Sequence, residues 1–156
     1  MARLQRTISE FIGERTAPIV EPTAPIAECV EQMKASGHSC VLVVEGGALV
    51  GIFTGRDFVN RVLAERRSVH ETSVGEVMTG EPEQFAPSDC ISYAINRMAV
   101  RGFRNLPIVE DGRVITALSV HDVIAHLSSV FAEIAELEAD ASEESMEEWF
   151  DTGGGG

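Results

Sequence analysis

Two short steps hold most of the chemistry in this sequence: Thr54-x-x-Asp57 and Ser119-x-x-Asp122. Each sets a hydroxyl three residues ahead of a carboxylate. An ionised aspartate is a two-oxygen acceptor that suits the vicinal diol of a ribose. A hydroxyl at a helix start sits beside free N–H groups and the positive end of the dipole, where a phosphate settles. The same spacing is that of a capping box, in which the hydroxyl accepts from the third N–H and the acid reaches back. A cap alone stabilises a helix by roughly 1 kcal/mol. Ligand site and pure cap therefore both fit, although the commoner acid in a cap is Glu or Gln and both copies here use Asp.

The surroundings of the two steps differ. Gly51 precedes the first and Gly55 lies inside it, so a ligand can approach the backbone closely. The second has Thr116 and Ala117 ahead of it, and His121 where the first has Arg56. Arg101 and Arg104 lie before the second middle strand, against Ser36 and Ser39 in the first. This asymmetry favours one ligand bridging elements of both copies over two equivalent sites. His121 and His126 lack a carboxylate–cysteine set, so no metal site is expected. No nucleophile is paired with a base at a strand end or glycine-rich loop, so no enzyme is expected. Cys29, Cys40 and Cys90 are odd in number and show no C-x-x-C spacing. They read as small hydrophobes of a reducing, cytoplasmic protein.

The elements that must hold these steps come from a duplication. Shifted by 65 residues, positions 17–62 align with 82–127 without a gap. Identities include Pro22/Pro87, Ile26/Ile91, Met33/Met98, Gly37/Gly102, Val44/Val109, Gly47/Gly112 and Asp57/Asp122. Each copy reads as an extended piece, a helix that Thr23 or Ser88 can cap, a terminating Gly37 or Gly102, two strands across a Glu-Gly-Gly or Glu-Asp-Gly turn, and a second helix. The order is β-α-β-β-α, an α/β (α+β) class. A half of about 50 residues cannot bury its own helices, so the two sheets are expected to pack together.

The expected organisation is an N-terminal helix over 1–14, a first repeat over 15–66, a linker over 67–81 with a helical turn at VGEVM, a second repeat over 82–131, and a tail over 132–156. Apolar residues from Val123 to Leu137 carry the last helix to about Glu138. That stripe is expected to cover the N-terminal helix (Leu4, Ile8, Phe11, Ile12), a second subunit, or both. Beyond it the acidic, glycine-ended tail is expected to be poorly ordered. Trp149 and Phe150 there read as a loosely packed end or a docking peptide.

The net charge of −13 is located in that tail. Residues 132–151 carry nine acids and no Lys or Arg, leaving 16 acids against 12 bases elsewhere. No basic footprint for nucleic acid exists. No apolar run approaches membrane-spanning length, and no signal peptide is expected. Eleven of the bases are Arg, the residue suited to bidentate phosphate contacts.

With GIFTGRD closing the first copy and GFRNLPIVEDGRVITALSVHDVIAHL forming the second, residues 15–130 resemble a tandem pair of CBS domains, named after cystathionine β-synthase. The resemblance implies a pseudo-twofold pair of β-α-β-β-α units with clefts that take adenosine compounds: AMP, ADP, ATP or S-adenosylmethionine. It implies Thr54 and Asp57 for one cleft and Ser119 and Asp122 for the other. His38 to Val41, including Cys40, and Arg104, Leu106 and Pro107 would line them. Arg56, with His121 as its counterpart, and Arg104 would lie nearest phosphate. It also implies a homodimer. On this reading the chain is a stand-alone regulatory pair that signals a bound adenosyl ligand to an unknown effector protein. The alternative is a ligand-free interaction or dimerisation module.

Overall fold

The computed structural model describes the backbone of residues 6–152 and the side chains of residues 6–141. Expectations placed on Leu4, on the side chains of Trp149 and Phe150, and on the closing glycines lie outside the described residues. The first repeat comprises β1 (Ile19–Val20), α1 (Ile26–Ser36), β2 (Cys40–Glu45), β3 (Ala48–Thr54) and α2 (Gly55–Asp57), which runs on as a π-helical stretch, Phe58–Leu63. After α3 (Val74–Val77) and β4 (Thr79–Gly80), the second repeat gives α4 (Ile91–Arg101), β5 (Asn105–Glu110) and β6 (Arg113–Ser119). The last helix is α5 (Val120–Thr152).

In the hairpins the duplication extends to irregularities. Both hairpins close on two-residue turns with positive φ, Gly46-Gly47 and Asp111-Gly112, the hand that matches strand twist. Both ladders slip at the same place, between Val43 and Val44 and between Ile108 and Val109. In the first repeat β1 runs parallel to β2, and β3 pairs with β4, making a four-stranded sheet. In the second, β1 is reduced to one parallel bridge, Phe85 to Ile108, beside the two-stranded β5–β6.

Cys40, Val41, Leu42 and Val43 are all fully buried. Their alternation sends Val41, Val43 and Phe53 into a core with Ile26, Cys29, Val62 and Val74, while Cys40, Leu42 and Ile52 meet Ala17 and Ala117 between the sheets. A strand covered on both faces needs a continuous apolar run, which is why CVLVV lacks polar alternation. Burial pushes the Cys29 thiol up to about 11. Burial, and then the nearby charge of Asp122, pushes Cys40 up to about 12.

Gly37 and Gly102 end α1 and α4 in the left-handed conformation, both with φ of 72°, as expected. The expected caps at Thr23 and Ser88 are corrected. The helices start at Ile26 and Ile91, behind Pro25 and Cys90, with no side-chain cap. Backbone from elsewhere does the work. Ile26 N–H donates to Thr72 O (3.1 Å) and Ala27 N–H to Val69 O (2.9 Å), while Ile91 N–H donates to Arg6 O (2.9 Å). The first-turn donors that a helix leaves open are thus closed by strap segments.

Those straps are two copies of one element. The expected N-terminal helix over 1–14 is, in its described part, a single 3-10 turn, Ile8–Glu10, capped by a Thr7/Glu10 box. The linker carries the matching Ser73/Glu76 box at α3. Val74 and Gly75 donate to Ala24 O and Pro22 O of the first repeat. Ile8 and Ser9 donate to Asp89 O and Pro87 O of the second. Ile8 and Val74 are both fully buried. The segment before the first repeat therefore straps the second, and the linker straps the first.

Helix α5 corrects the expected end near Glu138, since it continues to Thr152. Eight of the eleven residues 138–148 are Ala, Glu or Met and no Gly or Pro interrupts before Gly153, so helix propensity carries the chain on. Every described side chain from Phe131 to Ala141 is exposed. Among the described residues no helix is long and apolar enough to cross a membrane.

Candidate functional site

Strand β3 ends at Thr54 and the chain turns into α2 at Gly55. Asp57 Oδ2 accepts from Thr54 N–H (3.0 Å) and from the Thr54 hydroxyl (3.1 Å), and Asp57 N–H donates to Thr54 Oγ1 (3.3 Å). The second step repeats this. Asp122 Oδ2 accepts from Ser119 N–H (2.9 Å) and hydroxyl (2.6 Å), and Asp122 N–H donates to Ser119 Oγ (3.0 Å). Both steps are capping boxes. In each, one carboxylate oxygen is spent on the cap and the other is left over.

The left-over oxygens differ. Asp57 Oδ1 accepts from the Thr79 hydroxyl (3.2 Å) and lies 3.8 Å from Arg61 Nε. Arg61 also donates from Nη1 to the carbonyls of Val77 (3.2 Å) and Met78 (2.7 Å). The linker is thus tied to the carboxylate from both sides. It can lie there because β3 offers Gly51 beneath Met78; a Cβ at Gly51 would collide with the Met78 sulfur. The second copy has Thr116 instead, whose hydroxyl accepts from Ala17 N–H (3.0 Å), and no paired strand forms there.

A cleft of about 1130 Å³ opens above the first step. Thr54, Gly55, Arg56 and Asp57 form one wall, and Arg101, Phe103, Arg104, Leu106 and Pro107 of the second repeat form the other. Thr79 to Glu83 make the lip. Glu83 is forked by Arg97 (2.8 and 2.7 Å), which holds its carboxyl below the usual range and offsets its charge at the lip. Arg56, Arg101 and Arg104 make no ion pair among the described residues. A smaller cleft, about 230 Å³, lies at the second step, lined by Arg15, His38, Val120, His121 and Asp122. Ser39 and Arg104 border both clefts. Between them Asn105 Nδ2 donates to Ser39 Oγ (3.0 Å), joining the repeats.

Thr54, Arg56, Asp57, Arg104, Leu106 and Pro107 therefore meet in the large cleft, while His38, Ser119, His121 and Asp122 meet in the small one. Cys40 and Val41, expected to line a cleft, line neither and are core residues facing the other sheet and the helices respectively. Sequence reasoning missed Thr79, Arg61 and Arg15. Arg61, four residues after Asp57 on a helix, carried a signal; Thr79 and Arg15 arrive from the straps and carried none. Among the described residues no group of His, Cys, Asp or Glu could hold a metal ion.

The duplicated sheets, straps and capped steps define a tandem α/β pair, and the CBS domain family model matches residues 9–64 and 74–129. The chain belongs to the CBS domain family. It is 37% identical over 141 residues to the meiotically up-regulated gene 70 protein of Schizosaccharomyces pombe, covering 90% of this chain and 17% of that protein. It is 35% identical to the CBS domain-containing protein CBSCBSPB5 of Arabidopsis thaliana, covering 76% and 24%. The chain thus spans a quarter or less of the length of these curated relatives. A CBS-domain containing protein from Agrobacterium tumefaciens superposes with a TM-score of 0.70 at 25% identity, covering 78% of this chain and 98% of that one. A CBS domain protein from Pyrobaculum aerophilum, complexed with AMP, shares the fold with a TM-score of 0.68 at 19% identity, covering 75% and 89%.

Proposed function

We propose that this CBS pair is a regulatory module that binds one adenosine nucleotide or adenosyl ligand in the large cleft and reports it to a partner protein. The candidates are AMP, ADP, ATP and S-adenosylmethionine. The observation that carries this reading is the large cleft itself. It sets a capped aspartate, with one oxygen not used by the cap, beside Arg56 and opposite Arg101 and Arg104, none of the three in an ion pair within 4.0 Å among the described residues. Its volume slightly exceeds the roughly 300–1,000 Å³ range of small-molecule sites. The AMP held by a neighbour of the same fold is in keeping with that chemistry. Ligand energy can shift the module only through different affinities for its two states.

Thermal unfolding with each adenosyl compound and a guanosine control tests this. At 100 times its dissociation constant a ligand adds about 2.7 kcal/mol, several degrees on a domain of this size. No shift with any of them overturns the reading.

A second reading, a ligand-free interaction or homodimer module, is favoured by α5. Its Ile124, Leu127, Phe131, Ile134 and Leu137 are exposed in the single chain. Sedimentation at tens of micromolar separates the two: a dimer that forms without any ligand, with no thermal shift, favours this one.

A further inference from the structure

The two clefts come from one duplicated element yet differ about fivefold in volume. We propose that Arg15 and Val120 keep the small cleft closed to the nucleotide that the large one accepts, so that these two side chains set the number of bound ligands at one. The proposal rests on the large cleft being the nucleotide site.

Position by position, the steps pin the comparison. Thr54 matches Ser119 and Asp57 matches Asp122, so Gly55 matches Val120. A Cβ at Gly55 would meet nothing within 4 Å, so this position opens onto the large cleft. Val120 puts a branched side chain at the same point of the small one, of which it forms part of the lining. The straps supply the other difference. Thr79 sets its hydroxyl on Asp57 Oδ1, and in the second copy Gly13 stands there, its would-be Cβ 3.8 Å from Asp122 Oδ1.

Two residues on, Arg15 enters the small cleft. Its Nη1 lies 2.5 Å from where a Cβ of Gly37 would stand. Gly102, the counterpart of Gly37 on the large cleft with the same φ, has nothing within 4 Å. The guanidinium thus occupies in one cleft the space left open in the other. The segment is held there by the His38 Nε2 to Arg15 O hydrogen bond (3.2 Å) and by the Ala17 N–H to Thr116 bond.

Titration calorimetry with AMP and with ATP tests this on the wild type, Arg15→Gly, Arg15→Gly/Val120→Gly and Gly55→Val. The wild type is expected to bind one equivalent and the double variant two. Arg15→Gly alone, at an exposed position, is expected to show a second, weaker event, which keeps the test alive if Val120→Gly unfolds the chain. Gly55→Val moves part of the plug into the large cleft. It is expected to lower affinity at least tenfold without lowering the melting temperature of the unliganded protein, because the position is open and not left-handed. One equivalent in both the wild type and the folded Arg15 variants overturns the proposal alone. Two equivalents in the wild type overturn it as well. A wild type that binds neither compound removes the functional reading, and the proposal falls with it.

Discussion

Asp57 and Asp122 close their capping boxes with the same three hydrogen bonds, and there the likeness stops. Asp57 also takes a hydroxyl from the linker and an arginine from its own helix, under a wide cleft with Arg56, Arg101 and Arg104 on its walls. Asp122 faces a glycine, two histidines and the side chain of Arg15 in a space about one fifth the size. Cap and ligand site are therefore not rival explanations of the hydroxyl-x-x-Asp step. The cap consumes one oxygen in both copies, and what surrounds the second oxygen decides whether a cleft can also recognise something.

The sharpest way to break this comparison is Asp57→Asn beside Asp122→Asn. A lost charge-assisted contact is worth about 1.5–3 kcal/mol, so Asp57→Asn should weaken nucleotide binding roughly ten- to a hundredfold in calorimetry. Asp122→Asn should leave affinity unchanged. Both should lose about 1 kcal/mol of unfolding free energy from the damaged cap. Equal effects on affinity would mean that the two clefts are not different in kind.

A smaller effect is expected of Thr79→Val, which gives Asp57 the hydroxyl-free neighbour that Asp122 already has. Denaturant unfolding should show a loss of about 1 kcal/mol. Nucleotide affinity should not fall, since an acceptor on Oδ1 is released. A loss of affinity would make the Thr79 hydroxyl a ligand contact in its own right.

The smallest effect concerns the lip of the large cleft, where Glu83 is held by Arg97. Arg97 holds the carboxyl of Glu83 below its ordinary value of 4.5. The pair therefore contributes fully at neutral pH, and the contribution is lost as the pH falls through the depressed value. The stability gap between the wild type and Arg97→Gln, followed by urea midpoints, should narrow in acid. A gap that widens there would remove this account of the lip.

What the sequence showed followed from what repeats locally. The hairpin turns, the terminal glycines Gly37 and Gly102, and the two capped steps all stand at one spacing, so the duplicated fold could be read directly, while the clefts were implied only by the family resemblance. Of the straps, the helical turn at VGEVM could be read, but not its role or its copy before the first repeat. Thr7-Ile8-Ser9-Glu10 and Ser73-Val74-Gly75-Glu76 are copies 66 residues apart, not 65. A single-residue slip hid them from a gapless comparison, and the first was taken for a helix. Cys40 and Val41 were placed in a cleft because an apolar strand start says nothing about which cover lies on each face. The length of α5 was missed because acidic composition was weighed above the helix propensity of Ala and Glu.

The crossed straps make the two halves unequal as pieces of chain. A fragment running from Ala17 through Gly80 carries the first repeat together with every backbone partner its α1 start uses. A fragment beginning at Pro82 leaves Ile91, Asp89 and Pro87 without theirs, because Arg6, Ile8 and Ser9 lie at the other end of the molecule. Trimming or tagging the N-terminus is therefore an intervention on the distant half, and the ring of backbone bonds closes only when both ends of residues 6–122 are present.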